Sequence, residues 1–222
     1  MEGRRNCRPS IDECMIITKI ERQKKNKTRF SVFVDEQYAF SVSEDVYARF
    51  LMHQGQLLTE SEREKIQQAE TESSVKRDAL RFRSYRPRSE KEIVQNLQKK
   101  GYDESNIRQA IQYLAQNQLL NDEEFAKMLC RDRMTLRPVG KSSMKQLLFK
   151  KGIDRNIVER ILPEFYTVES ELALALKEAE RKLKRVASLP EQTKKKRIYE
   201  HLVRRGYDSS LSLKIASQLV KE

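Results

Sequence analysis

Apolar residues recur along the chain first with period two and then with the three-to-four spacing of helices. Met15–Arg22, Arg29–Val34 and Gln37–Val42 are short runs rich in β-branched and aromatic residues. Tyr38, Phe40 and Val42 alternate with Ala39, Ser41 and Ser43, which predicts a small antiparallel meander. The Asp35-Glu36 break predicts a tight hairpin and Gln23–Thr28 a longer, basic one; no other strand is predicted. Ser43, followed by Glu44 and Asp45, is a helix N-cap candidate, and Thr59 with Glu62 forms a capping-box pattern. Everything beyond reads as helix or connector, with breaks at Arg86-Pro87, Arg137-Pro138, Leu162-Pro163 and Leu189-Pro190, because a residue before proline is pushed out of the helical region. Residues 1–14 lack periodicity and read as a loose tail.

The helical part repeats. Gly101, Gly152 and Gly206 align, 51 and 54 residues apart by subtraction (152 − 101, 206 − 152). Eight residues before them stand Ile93, Met144 and Ile198, and four before stand Leu97, Leu148 and Leu202. The dipeptides Lys99-Lys100, Lys150-Lys151 and Arg204-Arg205 precede the glycines immediately. Tyr102, Ile153 and Tyr207 follow, then Asp103, Asp154 and Asp208.

Each column has a physical reason. The apolar pair at i and i+4 is one buried helix stripe. The glycine is where a helix ends in a left-handed residue, the basic pair lies in the last turn where cations suit the helix dipole, and the aspartate can cap the next helix. That next helix carries Ile107, Ala110, Ile111 and Leu114 in the first copy, Ile157, Ile161 and Phe165 in the second, and Leu211, Ile215 and Leu219 in the third. Asn121-Asp122 can then cap a further helix through Phe125, Ala126 and Leu129, while Leu172, Leu176, Ala179 and Leu183 mark a longer one after the second copy. The expected fold is therefore mainly α: tandem three-helix repeats in an elongated array, with a small N-terminal β meander. The expected boundaries are 1–14 tail, 15–70 meander plus helix, 71–139 first repeat with a lead-in helix, 140–190 second repeat and 191–222 a shortened third repeat that runs out after two helices.

Composition then narrows the chemistry. Lys plus Arg number 45 against 33 Asp plus Glu, a net charge of +12. Residues 1–70 hold 12 basic and 12 acidic residues, so the whole excess falls on 71–222, with 33 basic and 21 acidic. A basic surface of that extent points to a polyanionic partner or an acidic nucleoprotein. His53 and His201 stand far apart, and Cys7, Cys14 and Cys130 include no CxxC, so neither a metal site nor a disulfide framework is expected. No GxGxxG, GxxxxGK[ST] or GxSxG occurs, so no cofactor site and no enzyme is expected. No apolar stretch approaches the roughly 18 residues of a membrane span, and the expectation is a cytoplasmic protein without membrane contact.

The repeat resembles that of the RecX family, bacterial regulators of the RecA recombinase. The resemblance is carried by Tyr85-Arg86-Pro87-Arg88-Ser89-Glu90-Lys91-Glu92 leading to Leu97 and Lys100-Gly101. It continues through Leu114, Leu119-Leu120-Asn121-Asp122, Phe125-Ala126, Gly140, Leu147 and Lys151-Gly152-Ile153. It covers residues 70–190 well and the two ends more loosely. It implies tandem three-helix repeats and a non-enzymatic modulator, most often an inhibitor. Such a protein binds RecA filaments on single-stranded DNA and suppresses ATP hydrolysis and strand exchange, in some members also touching single- or double-stranded DNA. A monomer is expected. The alternative is a sequence-tolerant DNA-binding helical protein that acts without RecA.

The candidate partner- or DNA-binding residues are the cations. Lys99, Lys100, Lys150, Lys151, Arg204 and Arg205 either complement helix dipoles or form a periodic ladder toward the partner. Arg81, Arg83, Arg86 and Arg88 form a denser cluster with Phe82 and Tyr85, and Lys194, Lys195, Lys196 and Arg197 open the third copy. Lys24, Lys25 and Lys27 read as protection of a strand edge. Tyr102 and Tyr207 read as packing across the helix turn.

Overall fold

A computed structural model describes residues 14–220, so the expected tail and Cys7 lie outside the described residues. Three strands open the chain, β1 (Cys14–Arg22), β2 (Arg29–Val34) and β3 (Gln37–Ser43), followed by α1 (Glu44–Arg49) and β4 (Leu57–Thr59). The sheet is antiparallel with order β3-β2-β1-β4. Asp35 and Glu36 both take positive φ, 48° and 66°, which makes the expected two-residue turn. The strand β4 is an addition to the expected three: Leu57, Leu58 and Thr59 are too few to show alternation, and pairing with Ile16, Met15 and Cys14 makes them a strand.

Ile17, Val32, Phe40 and Val42 line the buried face of the sheet, closed by Val46 of α1 and by Ile66 and Ala69 of α2 (Glu60–Ser84). The capping box forms as expected: Thr59 N donates to Glu62 at 2.9 Å and Glu62 N to the Thr59 hydroxyl at 3.3 Å. Ser43 precedes α1 without capping it through its side chain; its backbone N donates to Glu70 at 2.6 Å instead. The helix α2 runs unbroken through residue 70, where the sequence places a boundary.

Eight more helices follow: α3 (Glu90–Lys99), α4 (Glu104–Gln116), α5 (Asp122–Leu136), α6 (Lys141–Lys150), α7 (Arg155–Phe165), α8 (Val168–Arg185), α9 (Glu191–Arg204) and α10 (Ser209–Leu219). The described residues condense into two units, one of 14–82 with 97–113, the other of 83–96 with 114–220. Three of the four proline breaks separate or start helices. Pro163 instead lies inside α7, two residues from its end, where it removes one hydrogen bond from a helix that is already finishing.

The buried clusters phase the helices differently from the sequence boundaries. Phe125, Ala126 and Cys130 of α5 are buried with Met144 and Leu148 of α6 and with Val158 and Ile161 of α7. Ala175 and Ala179 of α8 are buried with Ile198 and Leu202 of α9 and with Ile215 and Ala216 of α10. Each long helix therefore precedes its glycine-centred pair, and the third repeat is complete because α8 supplies its first helix. The aligned columns begin eight residues before each glycine, so the preceding helix carries no mark of which pair it joins.

Neighbouring repeats dock by a recurring contact. Ser89, at the start of α3, donates its hydroxyl to the carbonyl of Lys151 at 2.9 Å. Gly140, the N-cap of α6, donates its N–H to the carbonyl of Arg205 at 2.9 Å, and Ser142 N donates to Gly206 O at 3.2 Å. Ser89 and Gly140 both stand 12 residues before their own glycines (101 − 89, 152 − 140). In each case a helix start, rich in unpaired N–H groups, meets carbonyls at the end of a later helix. Glycine is required at 140, since a Cβ there would stand 2.2 Å from Gly206 O. The helix α9 starts 15 residues before its glycine, against 11 for α3 and α6 (206 − 191, 101 − 90, 152 − 141), so its start is displaced by a turn from the docking position.

Candidate partner-binding surface

The repeated corner is built as the sequence predicts. Gly101, Gly152 and Gly206 have φ of 84°, 84° and 86°. The residue after each donates its N–H back to the carbonyl five residues earlier: Tyr102 to Leu97, Ile153 to Leu148 and Tyr207 to Leu202. The aspartates cap the following helices, with Asp103 accepting from Asn106 N at 2.8 Å, Asp154 from Asn156 N at 2.8 Å and Asp208 from Ser210 N at 2.8 Å.

The dibasic pairs split at this corner. Successive residues on a helix point about 100° apart, so two adjacent cations cannot face the same way. The second of each pair is tied to a carboxylate of the fold: Lys100, still 42% exposed, to Asp78 at 2.8 Å, Lys151 to Glu92 at 2.5 Å and Arg205 to Glu178 at 3.0 Å. The first, Lys99, Lys150 or Arg204, is exposed and makes no ion pair among the described residues.

The inward carboxylates are structural anchors that the sequence did not single out. Asp78 on α2 also accepts from the Tyr102 hydroxyl at 2.9 Å. Burial works to raise its pKa, yet bonds from Lys100 and Tyr102 hold it below the ordinary value. Glu178 on α8 is only 4% exposed and accepts from Arg181 at 2.8 Å as well as from Arg205. Burial opposes its ionised form, and the two arginines outweigh that effect. The middle repeat has Ile153 in place of the tyrosine, buried in an apolar cluster, and there Lys151 reaches Glu92 on α3. Only long-range packing pairs these groups, so no local pattern could have found them.

The arginine cluster is largely consumed within the fold. Arg83 donates to the carbonyl of Leu119, and Arg86 pairs with Glu92 at 3.0 Å. Arg88 lies 3.7 Å from the same Glu92, which thus gathers Arg86, Arg88 and Lys151 at 12% exposure. Arg81 is exposed on α2. Lys194, Lys195, Lys196 and Arg197 occupy the first turns of α9, Lys196 and Arg197 exposed and the other two half-buried. Of the cations expected to bind a partner, Lys99, Lys150 and Arg204 at the corners and Lys196 and Arg197 on α9 are exposed without an ion pair among the described residues. Tyr207 is buried against α8, α9 and α10, and Tyr102 is half-buried with its hydroxyl on Asp78 of α2. Cys130 is a buried free thiol whose pKa burial pushes up to about 11. Among the described residues no group of His, Cys, Asp or Glu could hold a metal, and no helix is long and apolar enough to cross a membrane.

Three-helix groups folded around left-handed glycine corners, joined to a small antiparallel sheet, define a tandem-repeat protein with outward cations. Family models match the chain in that order: the regulatory protein RecX N-terminal domain over residues 15–59, and the first, second and third RecX three-helix domains over 76–114, 121–162 and 169–215. The chain belongs to the RecX family of regulatory proteins. It is 35% identical over 208 residues to the regulatory protein RecX of Listeria monocytogenes serotype 4a (strain HCC23), covering 94% of this chain and 77% of the relative. It is 32% identical over 192 residues to that of Staphylococcus aureus (strain Newman), covering 86% and 70%. A crystal structure of regulatory protein RecX superimposes with a TM-score of 0.72 at 28% identity, covering 91% of this chain and 99% of that one. RecX from Lactobacillus salivarius gives 0.60 at 27% identity, covering 69% and 99%. The domain limits 121–162 and 169–215 follow the phase of the buried clusters.

Proposed function

We propose that the chain is a cytoplasmic, monomeric inhibitor of the RecA recombinase. It binds the RecA filament on single-stranded DNA and lowers ATP hydrolysis and strand exchange. RecX membership supports a regulatory role toward RecA. The observation that carries the contact surface is the recurrence, two residues before each glycine, of an exposed cation without an ion pair among the described residues, at Lys99, Lys150 and Arg204. Repetition at a fixed structural position is what a partner with a repeating surface would read. Lys196 and Arg197 extend this set, while Lys100, Lys151, Arg205, Arg83, Arg86 and Arg88 hold the fold and contribute through it.

The test is DNA-dependent ATP hydrolysis by RecA with the purified chain added at substoichiometric ratio. Hydrolysis should fall, and the Lys99→Glu/Lys150→Glu/Arg204→Glu variant should lose the effect with its melting temperature unchanged. No change in hydrolysis or filament length at any ratio would falsify the reading. Equal affinity for bare DNA and for the filament would favour a DNA-binding protein that acts without RecA.

A further inference from the structure

The solvent face of the N-terminal sheet carries a feature that the role of the helical repeats leaves unused. Strict alternation would put Tyr38 on the same face as Phe40 and Val42, inside the core. Two β-bulges prevent this. In β3 the register passes from Val32↔Phe40 to Phe33↔Tyr38, leaving Ala39 unpaired and turning Tyr38 outward. In β1 it passes from Ile17↔Val34 to Lys19↔Phe33, leaving Thr18 unpaired and turning Lys19 outward. Bulges re-aim side chains in this way at functional sites. Both flank Phe33, which lies between buried Val32 and Val34 and so faces solvent.

The result is one row across three strands, Lys19–Phe33–Tyr38. The two rings meet edge to face at 6.0 Å, Lys19 Nζ lies 5.8 Å from the Phe33 centroid, and Tyr38 is 59% exposed. The next row holds small hydroxyls, Ser31 and Ser41, to which the Gln23 amide donates at 3.2 and 2.9 Å. Beside it a recess of about 650 Å³ runs from Phe33 past Ser31 and Gln23 to Lys24 and Lys25 on the β1–β2 hairpin. Lys24 and Lys25 are exposed and make no ion pair among the described residues. The acidic side chain in the recess, Glu21, is neutralised by Lys19 at 2.7 Å.

We infer that this face binds single-stranded DNA, with bases stacked on Phe33 and Tyr38, their edges toward Ser31 and Gln23, and phosphates toward Lys24 and Lys25. Aromatic rings beside a cationic track are what unpaired bases require, since a duplex hides the base faces. That the strand is DNA rests on the RecA reading above; the stacking does not. Electrostatics alone would explain the lysines but not the re-aimed tyrosine.

The test measures binding of a fluorescent oligothymidine by anisotropy, with the full chain. Each aromatic should contribute roughly a fivefold to hundredfold gain in affinity. Tyr38→Ala should therefore bind at least about fivefold more weakly with an unchanged melting temperature, and Tyr38→Phe should bind like the parent. Lys24→Glu/Lys25→Glu should weaken binding and flatten its salt slope by about 1.4 log units, at about 0.7 per phosphate. Ultraviolet cross-linking should place thymidine adducts on the peptides carrying Phe33 and Tyr38. Unchanged affinity in Tyr38→Ala, adducts confined to the helical repeats, or equal binding of a duplex of the same length would each overturn the inference. RecA inhibition that survives Tyr38→Ala while oligothymidine binding is lost would separate this site from the filament contact.

Discussion

The split of the dibasic pairs yields a sharp contrast at Arg204 and Arg205, adjacent and chemically identical. Replacing Arg205 by Met keeps the aliphatic stem but removes a 3.0 Å charge-assisted bond to Glu178, whose side chain is 4% exposed. Breaking one partner of a fully buried pair costs roughly 3–5 kcal/mol. Here Arg181 still holds the other carboxylate oxygen at 2.8 Å, and Arg205 is itself 34% exposed, so part of its charge interaction is screened. The expected loss is about 2 kcal/mol, close to the worth of a hydrogen bond to a charged group. For a chain of this size that lowers the melting temperature by roughly 4–8 °C. Arg204→Met touches an exposed side chain with no ion pair among the described residues and should stay within about 0.5 kcal/mol. Thermal melts followed by circular dichroism read both variants. Adding Glu178→Gln to Arg205→Met should recover part of the loss, because the stranded carboxylate is removed. Equal shifts in the two single variants would refute the inward and outward assignment.

Two further predictions concern the same corners. The carboxyl of Glu178 is held below its usual 4.5, so its stabilisation is complete above that pH and is lost as pH falls through the lower folded value. The pKa of His201 is depressed from 6.5 chiefly by burial, with Arg205 and Lys182 adding to this and Glu178 opposing it. Neutral His201 therefore contributes stability above pH 6.5 that disappears on acidification, and the drop in melting temperature between about pH 7 and pH 5 should be smaller in His201→Gln; parallel pH profiles would rule this out. At the glycines, Gly101→Ala should cost about 1 kcal/mol, for a left-handed residue with nothing within 4 Å of its new Cβ. Gly206→Ala should cost several times more, since its Cβ would stand 2.5 Å from the Ser143 backbone nitrogen; urea denaturation midpoints that rank the two equally would contradict the docking contact.

What could be read from the residues alone was local. Gly101, Gly152 and Gly206 end helices in the left-handed region, and Asp103, Asp154, Asp208 and Asn121 cap helices, because those bonds close within a few residues and depend on little else. The capping box at Thr59 and the turn at Asp35-Glu36 belong to the same class. The membership of helices in repeats was not legible, because α5 and α8 join their partners through apolar side chains that any helix stripe could supply. Strand β4 escaped notice for a similar reason, since three residues become a strand only when β1 is beside them.

The candidate surface divides along the same line. By itself the sequence determined that two cations precede each glycine and that the net charge of +12 falls on residues 71–222. Only the tertiary structure decided that Lys100, Lys151 and Arg205 are anchored to Asp78, Glu92 and Glu178, and that Lys99, Lys150 and Arg204 face water. It likewise decided that Tyr38 and Lys19 leave the core face at two bulges. A helix cap is settled by backbone geometry within one or two turns. Which way a side chain faces, and with what, is settled by the register and packing of segments tens of residues away.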